Sequence, residues 1–242
     1  MSATNTITES LIQLLVTAPL IAWGYAQNKT SDLRPLLFFV LVYITAAILI
    51  NQFASVTLFA HQHWNWTGKA LALLFGLVAA FVLTNFKPAT FGLTTRVHWT
   101  GTKTLLIVCG IYFIARVALY MRSGEATAAI NTESLLYQAT LPGIQEELIF
   151  RGILMGLLAS VLKQPQFEFL NVSFSWPVII TSLLFGLAHG LSYHPQAGLQ
   201  INYFLIFRSA FDGFLFALLA QKTQSLLPGI LFHNLLNVLG DH

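Results

Sequence analysis

Glu146 and Glu147 stand side by side in the stretch GIQEELIFRG (143–152), with Arg151 four residues beyond the second. Further along, His189 closes FGLAH, and His233 and Asn237 lie four apart in FHNLLN. These residue types can do chemistry together: a carboxylate can take a proton, and His233 and Asn237, on one helix face, can both donate hydrogen bonds to a single point. On a helix Glu147 and Arg151 meet one turn apart as an ion pair. Glu146 is rotated about 100° from Glu147 and left outside that pair. One carboxylate is then neutralised and held, and its neighbour is available for chemistry. Each group also has a plainer reading: a salt-bridge cluster at a helix end, an interfacial histidine, and hydrogen bonds between membrane helices.

The elements that must position these groups are membrane helices. The chain of 242 residues is 56% hydrophobic and only 9% charged, against roughly a quarter charged in a soluble domain. Mean hydropathy is +0.70. Apolar runs near 20 residues match the thickness of a bilayer's hydrocarbon core, and they lack the alternation of a membrane β-barrel. The expected fold is all-α: a polytopic bundle of about eight membrane segments, near 7–26, 34–60, 68–86, 103–122, 132–163, 174–193, 199–222 and 226–240. Pro19 predicts a kink in the first, and Pro142-Gly143 a break in the fifth. The start lacks a basic leader and Glu9 heads the first run, so that segment is expected to be kept as a helix. The residues 1–242 read as one membrane domain, with 130–240 carrying the chemistry.

Ionisable groups inside such spans cost at least ~2.5–3.5 kcal/mol each on insertion scales, so those that persist are functional candidates. The pI near 9.1 does not point to nucleic acid, because the basic residues are scattered at the ends of apolar runs, where they flank membrane helices. Counted by loop, Lys29, Arg34, Lys87, Arg96, Lys103, Lys163 and Lys222 fall on one side, and Lys69 and Arg122 on the other. With eight spans this places both termini outside the cytoplasm. Arg208 and Asp212 read as a structural pair inside the bundle, and Arg116 as a snorkelling residue. His61, His63 and His98 sit beside Trp64, Trp66 and Trp99 as an interfacial belt. Cys109 is the single cysteine; it allows no intrachain disulfide and reads as a small apolar core residue.

Serine and zinc protease signatures of the forms G-x-S-x-G and H-E-x-x-H are absent from the sequence. The order E-E-x-x-x-R (Glu146, Glu147, Arg151), F-x-x-x-H (Phe185, His189), H-x-x-x-N (His233, Asn237), one motif per membrane helix, resembles the CAAX protease and bacteriocin-processing (CPBP, or Abi) family. That family includes the type II CAAX prenyl endopeptidases, membrane proteases with a glutamate at the reaction centre. The resemblance implies catalysis by Glu146 as a general base tuned by its apolar setting, with His189 holding water and with His233 and Asn237 donating to the oxyanion. No cofactor is then needed. A second chemistry stays open, in which Glu146, His189 and His233 bind zinc with an open position for water. A non-enzymatic class also stays open: an immunity protein, or a proton-coupled transporter with the same membrane residues. Expected partners are the lipid bilayer and a protein or peptide substrate, prenylated or membrane-bound, with no nucleic acid. The expected location is a prokaryotic cell (inner) membrane, as a multi-pass protein.

Overall fold

A bilayer offers the backbone no hydrogen bonds, so apolar segments satisfy their own as helices. The computed structural model describes residues 2–28, 32–58, 62–85, 87–123, 131–163 and 166–239. Lys29, His61, His242 and most of the polar loop before Asn131 lie outside the described residues. In chain order the helices are α1 (Ala3–Asn28), α2 (Arg34–Gln52), α3 (Trp66–Leu83), α4 (Lys103–Ser123), α5 (Thr132–Gln138), α6 (Leu141–Glu147), α7 (Met155–Val161), α8 (Trp176–Gly190), α9 (Tyr203–Thr223) and α10 (Leu227–Val238). By length and composition α1 to α4 and α9 can each cross a membrane. The protein is an integral membrane helix bundle.

All eight expected segments are helical at their centres, but three are not full spans. α8 has 15 residues and α10 has 12, about 22 and 18 Å at 1.5 Å per residue. The fifth segment is divided. α5 stops at Gln138, a break covers Ala139 and Thr140, and α6 begins at Leu141. The break falls just before Pro142 rather than at it, because proline in a first helical turn has no N–H to lose. The second segment ends at Gln52, short of 60, and the third begins at Trp66, where the Asn65 side chain accepts from Gly68 N–H. The orientation read from loop charges rested on eight full spans, and the structure has five helices of that length among the described residues.

Two short antiparallel hairpins were not expected. β1 (Phe167–Phe169) pairs with β2 (Val172–Phe174), and β3 (Leu191–His194) with β4 (Gly198–Ile201). The first turns at Leu170 and Asn171, with φ of +53° and +61°. This is the sign pattern of a type I′ turn, which usually carries Asn-Gly. Leu-Asn gave no such signal in the sequence.

The core follows the run from α6 through the π-helical segment Leu148–Leu154 into α7, where Leu148, Ile149, Ile153, Leu154 and Leu158 are buried. Leu15, Trp23, Ile111, Ile114, Phe204 and Phe207 are exposed, as suits a lipid-facing surface. α8 and α9 pack closely at Gly186, where an added Cβ would lie 2.4 Å from the Ile206 carbonyl oxygen. Arg116 does more than snorkel: its Nη1 lies 3.3 Å from Asp212 Oδ2, and Tyr112 donates to Oδ1, tying α4 to α9. Trp64 and Trp66 pack against Tyr137 instead of only lining an interface, and Glu133 accepts from the Trp64 and His63 backbone N–H and the Trp66 indole.

Candidate active site

The segment carrying the two glutamates changes its winding where they sit. Glu147 ends α6, and the next seven residues, including Arg151, form the π-helical stretch. Such wide turns are rare and concentrate at functional sites. Glu147 and Arg151 face each other as the spacing predicts: Arg151 Nη1 lies 3.2 Å from Glu147 Oε1, with both side chains wholly inaccessible. Arg151 Nη1 makes no aligned hydrogen bond, so charge and packing hold the pair. The guanidinium carbon lies 4.2 Å from the Phe185 ring centroid and 5.4 Å from that of Phe216. Phe185, the first residue of the F-x-x-x-H motif, therefore packs on the arginine of E-E-x-x-x-R. Gly213 on α9 leaves room for it, since a Cβ there would meet Arg151 Nη2 at 2.6 Å.

Glu147 also orients a histidine. His233 Nδ1 lies 2.8 Å from Glu147 Oε1. A carboxylate paired with arginine only accepts, so Nδ1 donates and neutral His233 presents Nε2 as an acceptor. The expected oxyanion donor role is narrowed accordingly: His233 donates from Nε2 only as the imidazolium. His189 is fixed in the same way. Its Nδ1 donates to the Phe185 carbonyl at 2.8 Å, leaving Nε2 as an acceptor. Both Nε2 atoms lie 3.7 Å from Glu146 Oε2.

Glu146 is not the unpartnered carboxylate read from the sequence. Its Oε1 accepts from Lys69 Nζ, from the first turn of α3. Lys69 was counted as a loop residue flanking a span; it points instead into the site. The pairing compensates a carboxylate that is only 11% accessible, since a buried charge without a partner is costly. Glu146 Oε2, in contrast, is buried with no hydrogen-bond partner among the described residues.

These groups open on a cavity of about 430 Å³ lined by Lys69, Glu146, His189, Arg208, His233 and Asn237, together with Tyr137, Gln138, Pro142 and Leu205. A second cavity, about 280 Å³, shares Lys69, Glu146 and His189 and is otherwise lined largely by α1 and α2, including Glu9, Gln13 and Tyr43. Glu146 thus stands in the wall between them. The first hundred residues are less inert than their sequence suggests. Gln13 donates to the Leu191 carbonyl at 3.1 Å and accepts from Tyr43, holding α1 and α2 against the end of α8.

Asn234 is a residue that sequence reasoning passed over, although it lies inside the quoted FHNLLN. Its Oδ1 accepts from Gly143 N–H at 3.0 Å, and its Nδ2 donates to the Thr140 carbonyl at 3.2 Å. One α10 amide therefore satisfies a free N–H at the start of α6 and bridges the break before it. Gly143 is required, since an added Cβ would lie 2.1 Å from Asn234 Oδ1. Asn234 has no chemical signature of its own, so only the folded chain reveals its part; Gly143 carried a signal, but as a break and not as this close approach.

Glu146, Glu147, Arg151, His189, His233 and Asn237 are all brought to one place. Among the described residues no group of three His, Cys, Asp or Glu is arranged to hold a metal ion. Glu146 Oε2 and the two Nε2 atoms are suitable donor atoms for zinc, but Lys69 already sets a cation on the same carboxylate. Cys109 is buried in the core, far along the chain from these motifs, and in no disulfide.

Residues 131–239 match the family described as Type II CAAX prenyl endopeptidase Rce1-like. The match bears out the resemblance read from the three motifs and spans all of them, while α1 to α4 lie outside it. It supports a CAAX-type membrane protease. No curated protein and no solved structure matches the chain.

Proposed function

We propose that this protein is an intramembrane endopeptidase that hydrolyses membrane-associated or lipidated protein tails, with Glu146 as general base. The observation that carries the reading is Glu146 Oε2, buried without a partner, on a cavity wall and 3.7 Å from two imidazole acceptors. A water there donates one proton to Glu146 and the other to His189 Nε2, and its free lone pair faces the cavity. Three acceptors around one point demand a donor, and water is the simplest. As the water attacks a peptide carbonyl, Glu146 takes its proton. The Asn237 amide donates to the oxyanion. Glu147, held by Arg151, fixes the His233 tautomer and the ring's direction, so both are positioning residues.

The name of the matching family suggests prenylated CAAX tails as substrates, which suits a cavity placed among membrane helices. A prokaryotic cell membrane is the proposed location, on the strength of short loops between helices. The whole chain is proposed to act as one unit, since α3 supplies Lys69 and α1 and α2 line the second cavity.

The test is cleavage of a prenylated CAAX peptide by purified protein in nanodiscs. Glu146→Gln removes the base while keeping the shape, and turnover should fall by about 10²–10⁴-fold while the protein still inserts, folds and stays monodisperse. Near-native turnover of Glu146→Gln would show the base assignment to be wrong. Asn237→Ala should lower kcat far more than it raises KM, because an oxyanion donor acts in the transition state.

A further inference from the structure

We infer that Lys69 is a catalytic residue that changes partner during the reaction, serving as counter-ion to Glu146 before attack and to the oxyanion after it. The inference rests on the endopeptidase reading and adds a group that no motif contains. Lys69 enters from α3, outside the matched segment, and its side chain is 14% accessible where it meets Glu146 Oε1. It lines the same cavity as His189, His233 and Asn237. An ammonium has three N–H donors, and Glu146 Oε1 takes one, leaving others for a group in the cavity.

Charge movement supplies the rest of the argument. A new bond forms between the water oxygen and the carbonyl carbon, and the carbonyl π pair moves onto its oxygen. The water proton goes to Glu146 Oε2. Before the step the negative charge is on Glu146; after it, on the substrate oxygen. Net charge is unchanged, but the centre of negative charge shifts across the cavity. A cation bound to Glu146 then loses its anionic partner as the oxyanion appears, so Lys69 needs only to turn its ammonium toward the new charge. In a water-excluded site such preorganised charge is worth far more than in solution.

The need for such a group follows from His233. Its Nδ1 proton is committed to Glu147, so the neutral ring has none to give at Nε2, and Asn237 is left as the donor from that motif. Lys69 supplies a second donor that requires no change of protonation in His233.

The experiment separates oxyanion stabilisation from mere placement of Glu146. A phosphinate peptide, anionic and tetrahedral, mimics the intermediate; the matching uncleavable peptide mimics the ground state. Their affinities are measured for wild type, Glu146→Gln, Lys69→Gln and the double variant Lys69→Gln/Glu146→Gln. The double variant removes both charges together, so it retains a readout even where Lys69→Gln alone fails to fold. Lys69→Gln should lower kcat by about 10²–10³-fold with KM little changed, as for loss of an oxyanion donor. Phosphinate affinity should fall by about tenfold or more between Glu146→Gln and the double variant, with ground-state affinity unchanged. Lys69→Arg should keep phosphinate binding. Equal losses for the two ligands, or none, overturn the inference and leave Lys69 as a positioning residue. That result is distinct from failure of the endopeptidase reading, which shows as turnover that survives Glu146→Gln.

Discussion

Removing both charges of the Glu147–Arg151 pair should cost no more than removing one. Both side chains are wholly inaccessible and 3.2 Å apart. Glu147→Gln keeps an amide oxygen for His233 Nδ1, so it isolates the lost charge from the lost hydrogen bond. It leaves the guanidinium without its ion-pair partner among Phe150, Phe185 and Phe216. Breaking a buried pair in this way costs about 3–5 kcal/mol. Arg151→Met leaves the carboxylate uncompensated at similar cost and also removes the stacking on Phe185, worth up to ~2 kcal/mol when desolvated. In the double variant neither charge remains and the volume is nearly kept, so its loss should not exceed that of the worse single variant. The expected coupling is therefore about 3–5 kcal/mol, well above the scatter of independent sites. Reversible denaturant unfolding in bicelles, followed by tryptophan fluorescence, gives the three differences. Additivity within ~0.5 kcal/mol would refute the reasoning, because residues that share one buried charge balance cannot act independently.

Cys109→Ser should leave turnover essentially intact, and thiol reagents should inhibit weakly, since the residue is 5% accessible and does not line the site cavity; inactivation mapped to Cys109 would point to a cysteine mechanism instead. Protein purified with strong chelators should keep its activity and hold no stoichiometric zinc by elemental analysis; one zinc per chain, lost in His189→Ala or His233→Ala and required for turnover, would replace the general-base mechanism with the same residues in place. Glu133 lies on α5, outside the five long helices. Desolvation alone would raise its pKa, but hydrogen bonds from Trp64 and His63 N–H and from the Trp66 indole outweigh that and lower it overall. A depressed carboxylate stabilises the fold above the unfolded pKa, ~4.3, and loses that contribution as pH falls through the folded value. The melting temperature of the wild type should therefore drop in that acidic window, and Glu133→Gln should flatten the drop.

The membrane class, the helical fold and the seven residues of the three motifs, which the fold brings together, were legible in the sequence alone. Composition decides the first, because a chain this apolar can satisfy its backbone in lipid only as helices or a barrel, and the unalternating apolar runs decide for helices. The pairing of Glu147 with Arg151 was legible too, being local: one turn of helix sets that distance. Lengths were read less well. The fifth segment's break and the short α8 and α10 depend on where neighbours can replace lost backbone hydrogen bonds, as Asn234 does for α6.

Contacts between distant parts of the chain were decided only by tertiary structure. Lys69 is 77 residues from Glu146, and nothing in the local pattern distinguishes it from a lysine flanking a span. The proton position on His233 follows from Glu147, 86 residues away, as its partner, which spacing cannot reveal. Periodicity along a helix fixes which residues share a face; which faces meet depends on how all the helices pack at once. The sequence by itself therefore determined which groups could do chemistry here, and packing decided which charge each would have beside it.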